Sequence, residues 1–300
     1  MFLLAEGAEH TPIIVEFINH YLGKPVLWFE LNYTKPIWDK ILPKFGTTPE
    51  KLFGEYTVET AIPWYTIMFI IACLLTLAVI WIFKGKLSED APKNGQLTLE
   101  AGYITLRDMI EEIVGSHGMK YFPVVATFAV LILISNLMGF IPLFQAPTAS
   151  VNVTFALAIS SFVYYNYIGI KENGIVSHVA HLAGPKMSGA LILITPFIFI
   201  IELISTFIRP LSLGIRLFGN IFADEKVSGT VSGLSGTLGA NPIFTQLLLP
   251  VILMPLALLV CFVQTLVFSL LSMIYLGEVS HAHDEHDHAE EHATGEVVHA

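Results

Sequence analysis

The sequence predicts an all-α, polytopic membrane protein with about five membrane helices, an amphipathic surface helix, and a hairpin of two long, steeply tilted helices. Three observations carry this expectation. Apolar residues make up 54% of the 300-residue chain, and the mean hydropathy is +0.68. Charged residues account for only 13%, about half the usual share in a soluble domain. Several apolar runs also exceed the ~18 residues that mark a spanning helix.

Residues 1–60 are mixed in polarity, and Pro12, Pro25, Pro36 and Pro43 are spread through them. They read as an extramembrane segment of short helices. The first span is expected over 61–83, ending at Lys84 and Lys86. Over 97–115, Leu99, Tyr103, Leu106, Ile110, Ile113 and Val114 recur at helical spacing, with Asp108, Glu111 and Glu112 on other faces. That pattern predicts an amphipathic helix lying on the membrane surface or against the bundle. Two further spans, 121–141 and 151–170, are joined by a turn containing Pro142 and Pro147.

The pattern then changes. A helix-compatible apolar stretch over 187–231 would be ~65 Å long at ~1.5 Å per residue, twice the ~30 Å hydrocarbon thickness. A second, over 243–276, would be about 50 Å. Neither fits upright, so both must tilt, bend or lie partly in the membrane plane. Pro196, Pro210, Pro250 and Pro255 offer places to bend. The membrane domain is thus expected over 61–277, followed by a disordered His- and acid-rich tail, 278–300.

The formal charge of −10 belongs mostly to the ends of the chain, and no basic stretch suggests nucleic acid. In the tail, His281, His283, His286, His288 and His292 alternate with acidic residues. It reads as a solvated segment, with divalent-metal binding or proton buffering as the alternative. Cys73 and Cys261 fall in apolar runs and read as small buried hydrophobes, with neither a disulfide framework nor a metal site implied. The N-terminus lacks a basic region, so no cleaved signal peptide is expected. Lys and Arg number seven in 84–120 and 171–186, against none in 142–150 and 232–242. The positive-inside rule therefore expects the N-terminus outside and the C-terminus in the cytoplasm.

Two of the chain's three arginines, Arg209 and Arg216, fall inside the first long helix. An arginine deep in a bilayer costs roughly 2.5 to above 10 kcal/mol and persists only with a partner, a wet cavity or a function. Glu202, Arg209 and Arg216 recur every seven residues and drift only about 20° per step around a helix. Ser205, Ser212, Asn220 and Asp224 share nearly the same side, which gives a polar stripe bracketed by Glu202 and Glu225. The charges could simply neutralise one another, or Arg209 could snorkel to the surface. For Arg216, set among Leu213, Ile215, Leu217 and Phe218, the stripe points instead to ion movement through the bilayer.

The run Arg209-Pro210-Leu211-Ser212-Leu213-Gly214-Ile215-Arg216-Leu217-Phe218-Gly219-Asn220 resembles the signature of subunit a of rotary F-type ATP synthases. The likeness continues through Ala223-Asp224-Glu225. It is supported by Asn136-Leu137-Met138-Gly139, by Ser150-Val151-Asn152-Val153-Thr154, and by Gln264. Together these segments cover residues 61–277. The resemblance implies a non-catalytic, proton-translocating stator subunit in a bacterial inner membrane, with no cofactor and no metal. Its partners would be a ring of c subunits bearing membrane-embedded carboxylates, the peripheral-stalk b subunits, the lipid bilayer and, indirectly, the F1 sector. By the same resemblance Arg216 is the essential coupling residue between two offset half-channels. Glu225, Asn220 and Gln264 would line the outer one, with Asn136 and Asn152 as further candidates. Glu202 and Ser205 would line the inner one. For the amides, ordinary interhelical hydrogen bonding is the competing role.

One departure concerns the outer path. Some bacterial members carry a Gly before the acid matching Glu225 and a His seven residues before the glutamine. Here Asp224 and Ala257 stand there, as in chloroplast-type members, and Asp224 would supply the titratable group that the last helix lacks. A secondary transporter is the main alternative, but the sequence shows no internal repeat. A purely structural membrane subunit would leave the stripe without a purpose.

Overall fold

The computed structural model describes residues 12–54, 56–85, 88, 93–141, 143–175, 195–238 and 249–280. Among these residues every regular element is a helix, with no strand. Five helices are long and apolar enough to cross a membrane.

The first helix, α1 (Ile13–Phe29), leads through a π turn (Glu30–Thr34) into α2 (Lys35–Ile41), a 3-10 turn (Leu42–Phe45) and α3 (Pro49–Phe53). The prolines are placed where helices tolerate them. Pro36, Pro43 and Pro49 sit in first turns, where the missing N–H has no intrahelical role, and only Pro25 is interior. One face of α1 fastens this segment to the chain before the first span. Asn19, almost fully buried, donates through Nδ2 to the carbonyls of Glu59 (2.9 Å) and Ile62 (3.1 Å), and its Oδ1 accepts from Ile62 N–H (3.1 Å). One turn on, a Cβ at Gly23 would lie 2.4 Å from the Val58 carbonyl oxygen, so only glycine fits.

The first span, α4 (Trp64–Lys84), starts directly after Pro63. Ile67, Met68, Ala72 and Thr76 are buried at spacings of one turn, and the Thr76 hydroxyl returns to the Ala72 carbonyl at 2.7 Å. Leu74, Leu77 and Trp81 are exposed on the outward side, as lipid contact requires. Val15 of α1 joins Ile67, Met68, Ala72 and Met138 in one cluster.

The amphipathic helix is α5 (Asn94–Ile113), and its apolar stripe is only half used. Ile110 and the following Val114 are buried against the bundle, whereas Tyr103 remains 45% exposed. At its other end Gln96 is buried, bonding Ser88 N–H and C=O through its amide. Gly115, at φ 88°, turns the chain out of the helix into the 3-10 turn Ser116–Tyr121.

Next come α6 (Phe122–Met138), the 3-10 turn Pro147–Ala149, and α7 (Val151–Asn173), which ends at Gly174 with φ 76°. These match the expected spans to within a few residues. α8 (Thr195–Leu238) has 44 residues and α9 (Leu249–Ser280) has 32. At ~1.5 Å per residue they extend ~66 and ~48 Å, so neither stands upright across ~30 Å of hydrocarbon. They run antiparallel and pack on each other. Pro210 lies inside α8 and Pro255 inside α9. Residues 187–194, 243–248 and 281–300 lie outside the described residues, and with them the proposed His-rich site. α9 continues helically to Ser280, so the tail boundary expected at 278 falls inside a helix.

Two buried layers hold the bundle. One joins Ile132, Val153, Leu157, Ala158, Leu213, Leu217 and Phe268, and the other joins Ile110, Tyr121, Val125, Tyr165, Ile168, Met273 and Leu276. α8 is the least buried of the five spans, because one side packs on α7 and α9 while the other is free. Cys73 and Cys261 are free thiols, and Cys73 is only half-buried, short of the burial expected for it.

Candidate functional site

The polar stripe runs along α8 on the border between its packed and free sides. Leu213 and Leu217 point inward, 3% and 0% exposed. At Gly214 α8 packs on Phe155 and Ala158 of α7, where an added Cβ would meet both at ordinary contact distance. That anchorage turns Ile208, Leu211, Ile215 and Arg216 outward. Arg216 thus sits exposed on an apolar flank. Among the described side chains no carboxylate pairs with it.

Arg209, seven residues earlier, has the opposite fate. Its Nη1 donates to Glu278 Oε2 at 2.6 Å, and its Nη2 donates to Glu278 Oε1 at 3.0 Å and to Glu202 Oε1 at 2.9 Å. The Tyr275 ring lies 5.0 Å from the guanidinium carbon, within cation–π reach. Of the two roles weighed for Arg209, neutralisation is the one the geometry supports. Ser205 is half-buried in the same stretch.

Toward the other end, α8 and α9 exchange an amide contact. Asn220 Nδ2 donates to Gln264 Oε1 at 2.6 Å, although 44 residues separate them in sequence. Asp224, one turn beyond Asn220, is half-buried and within electrostatic range of the Cys261 thiol. Cys261 lies one turn from Ala257, so Asp224 faces the part of α9 where Ala257 stands in place of a histidine. The Glu225 side chain lies outside the described residues.

Asn136 is not brought against Gln264 by any hydrogen bond. It is buried at the end of α6, where the Thr148 hydroxyl donates to its Oδ1 at 2.7 Å. Asn152 is exposed on the first turn of α7. Four buried polar atoms in this half lack a hydrogen-bonding partner: Ser135 Oγ, Asn136 Nδ2, Ser150 Oγ and Gln264 Nε2. Each would cost ~1–3 kcal/mol if left dry. Polar groups of this kind are where water enters an otherwise apolar bundle.

Sequence reasoning missed Glu278 and Tyr275 as members of the site. Glu278 reads by composition as the first acid of the tail. Its signal was its position at the end of an overlong helix antiparallel to one carrying an unexplained arginine. Thr148 was missed as well, since a lone threonine in a turn carries no periodic signal. Among the described residues no group of three or more His, Cys, Asp or Glu could hold a metal ion.

A model of the family described as "ATP synthase A chain" matches residues 66–277. The chain is 36% identical to ATP synthase subunit a of Aquifex aeolicus over 215 residues, which is 71% of this chain and 94% of that one. It is 33% identical over 260 residues to ATP synthase subunit a of Protochlamydia amoebophila, covering 85% and 95% of the two chains. It is 41% identical over 193 residues to ATP synthase subunit a 2 of Syntrophotalea carbinolica, covering 64% and 76%. With the matched region reaching into all five spans and holding both arginines of α8, the chain belongs to the ATP synthase A chain family.

Proposed function

We propose that this chain is the proton-conducting stator subunit of a rotary F-type ATP synthase, and that Arg216 couples proton movement to rotation. The observation that carries the reading is Arg216 itself, unpaired among described side chains on the free apolar side of α8. A guanidinium keeps its proton at any accessible pH. A carboxylate brought within ~4–6 Å of it loses proton affinity by ~1–3 pKa units. A rotor carboxylate passing Arg216 is therefore ionised there and must take up a proton before it re-enters lipid. Protons cannot pass straight from one half-channel to the other. They ride the ring, and flux becomes rotation.

The exposed side of α8 faces the c ring in this reading, and the other exposed apolar surfaces face lipid or the peripheral-stalk b subunits. The F1 sector is engaged indirectly. Asn220, Gln264, Asp224 and Glu225 line the outer half-channel, joined by Asn136 and, at the surface, Asn152. The orphaned amides and hydroxyls near Gln264 and Asn136 support a hydrated path on that side. Glu202 and Ser205 line the inner half-channel. The chain performs no ATP chemistry of its own. It sits in a bacterial inner membrane with its N-terminus outside and its C-terminus in the cytoplasm, and 61–277 form the membrane domain.

The test is Arg216→Ala in the whole complex, reconstituted in vesicles. ATP-driven pumping and ATP synthesis are expected to stop while all subunits assemble. Arg216→Lys is expected to fail too, since an ammonium can lose its proton when desolvated and lacks the planar fork. Full coupled activity in either variant removes Arg216 from the mechanism.

A further inference from the structure

By polarity alone residues 1–60 read as extramembrane, yet α1 docks at the level where the first span begins. We infer that α1 lies in the headgroup layer of the bilayer on that side, anchored to lipid by Phe17, Tyr21 and Trp28. The inference rests on α4 and α6 crossing the membrane and is independent of the role given to Arg216.

Two spans fix the level. α4 begins at Trp64 and α6 ends at Met138, and Val15 is buried in one cluster with Met138 and with Ile67, Met68 and Ala72 of α4. Ile14, Ile18 and Trp64 pack against the same cluster. Asn19 is tied to the Glu59 and Ile62 carbonyls just before the span, and Gly23 lies against Val58. α1 therefore starts beside the opening turns of α4 and leaves along the chain that precedes them. Only ~5–7 Å of polar layer separates hydrocarbon from water on each side of a bilayer. A helix ~10–12 Å across, held at this level, cannot stand clear of that layer.

The outward face suits the same layer. Val15, Asn19 and Gly23 recur every four residues and form the docked side. At ~3.6 residues per turn, Phe17, Tyr21 and Trp28 fall within ~40° of one another on the opposite side. They are 63%, 65% and 60% exposed. Phe17 meets Tyr21 at 4.9 Å between ring centres, and Trp28 meets Tyr33 at 6.1 Å. Tyr and Trp, apolar in body and polar at one edge, collect where hydrocarbon meets headgroups. Lys24 stands in the same row, exposed and one turn from Trp28, and among the described side chains no carboxylate pairs with it. Its stem can lie along the rings while the ammonium reaches a lipid phosphate. Glu16 and His20 occupy the flank turned toward water. A membrane helix of another subunit would pack through small residues, whereas this row offers bulky rings and a lysine.

The test places an environment-sensitive dye on single cysteines in the whole complex, with Cys73→Ala and Cys261→Ala and with the partner subunits freed of reactive thiols. Phe17→Cys and Tyr21→Cys report on the aromatic row, and Glu16→Cys and His20→Cys on the polar flank. All four side chains are exposed, so the dye displaces no buried group. The complex is reconstituted in vesicles of phosphatidylcholine and phosphatidylglycerol, part of which carries a nitroxide on the acyl chain near the headgroup. Iodide serves as the aqueous quencher. The nitroxide is expected to quench dyes at 17 and 21 several-fold more than dyes at 16 and 20, and iodide to show the reverse order.

Equal quenching by iodide at all four positions overturns the inference and leaves α1 in water. Dyes at 17 and 21 shielded from both quenchers overturn it too, with a protein such as a stalk subunit covering the row. One member of each pair suffices for the comparison, and Trp28→Cys supplies a further reading of the row should a labelled variant fail to assemble.

Discussion

The Asn220–Gln264 pair allows its structural and transport roles to be separated. Gln264 is 1% exposed, its Nε2 already lacks a partner, and its Oε1 accepts from Asn220 at 2.6 Å. Asn220→Leu therefore strips the last hydrogen bond from a buried amide. An orphaned buried acceptor costs ~1–3 kcal/mol, whereas polar contacts between membrane helices average ~0.6 and reach ~1.7 kcal/mol. A loss of about 1 kcal/mol is expected, roughly a five- to tenfold change in the equilibrium for leaving the assembled state. Gln264→Leu should cost no more, because it removes the buried group along with its partner's bond. In the double variant two apolar side chains meet and neither orphan remains, so stability should return close to that of the parent. Transport should not return. If the amides bond the waters that carry protons, all three variants lose most of their pumping, by an order of magnitude or more. Stability is read from detergent-induced release of the subunit from the whole complex, and transport from ATP-driven pumping in vesicles. A double variant that regains both stability and pumping would refute the reasoning and leave the pair as interhelical glue.

Two further outcomes are expected. Neutralising Asp224 and Glu225 singly and together, as Asp224→Asn and Glu225→Gln, should reduce pumping most in the double variant, and full pumping in all three would dismiss both as the outer relay. Asn19→Ala, which removes three hydrogen bonds, and Gly23→Ala, whose Cβ would meet the Val58 carbonyl, should each loosen α1 by ~1–3 kcal/mol. The readout is faster proteolysis within residues 54–63, and unchanged cleavage would refute the docking.

What the sequence made legible were features with a long repeat. Spans announce themselves because ~20 apolar residues in a row have no other use in a chain of this composition. The two overlong helices were legible for the same reason, and Arg216 because a permanent charge among leucines and phenylalanines demands an account. What escaped was set by single contacts between distant residues. Nothing around Asn19 separates a surface asparagine from one bonded three times to residues some forty positions on. The stripe on α5 left open whether the helix lies on the membrane surface or against the bundle. It packs on the bundle, with Tyr103 against Phe122 and Leu106, Met109 and Ile113 against the core, and is fully buried at Ile110, where α9 crosses with Gly277 close to the Ile113 carbonyl. Prolines spaced through 1–60 suggested short helices, and the described part of that segment is built of them, with Pro36, Pro43 and Pro49 each in a first turn.

The antiparallel register of α8 and α9 explains why two arginines on one stripe meet different fates. Two contacts pin that register: Arg209 stands level with Glu278, and Asn220 with Gln264. Between them Arg216 falls level with Phe268 to Leu271. That stretch holds no acid, Phe268 is fully buried, and the Ser269 hydroxyl is spent on the Thr265 carbonyl at 2.9 Å. Within this pairing α9 has no acid to offer the second guanidinium, whereas about two turns nearer its C-terminus it offers the first a two-pronged carboxylate. Among the described side chains Arg216 has no carboxylate partner, and the register that leaves it so is held by the Arg209 cluster at one end and the amide pair at the other. The residues that fasten α8 to α9 are therefore also those that leave Arg216 without a described carboxylate partner, as the proposed coupling role requires.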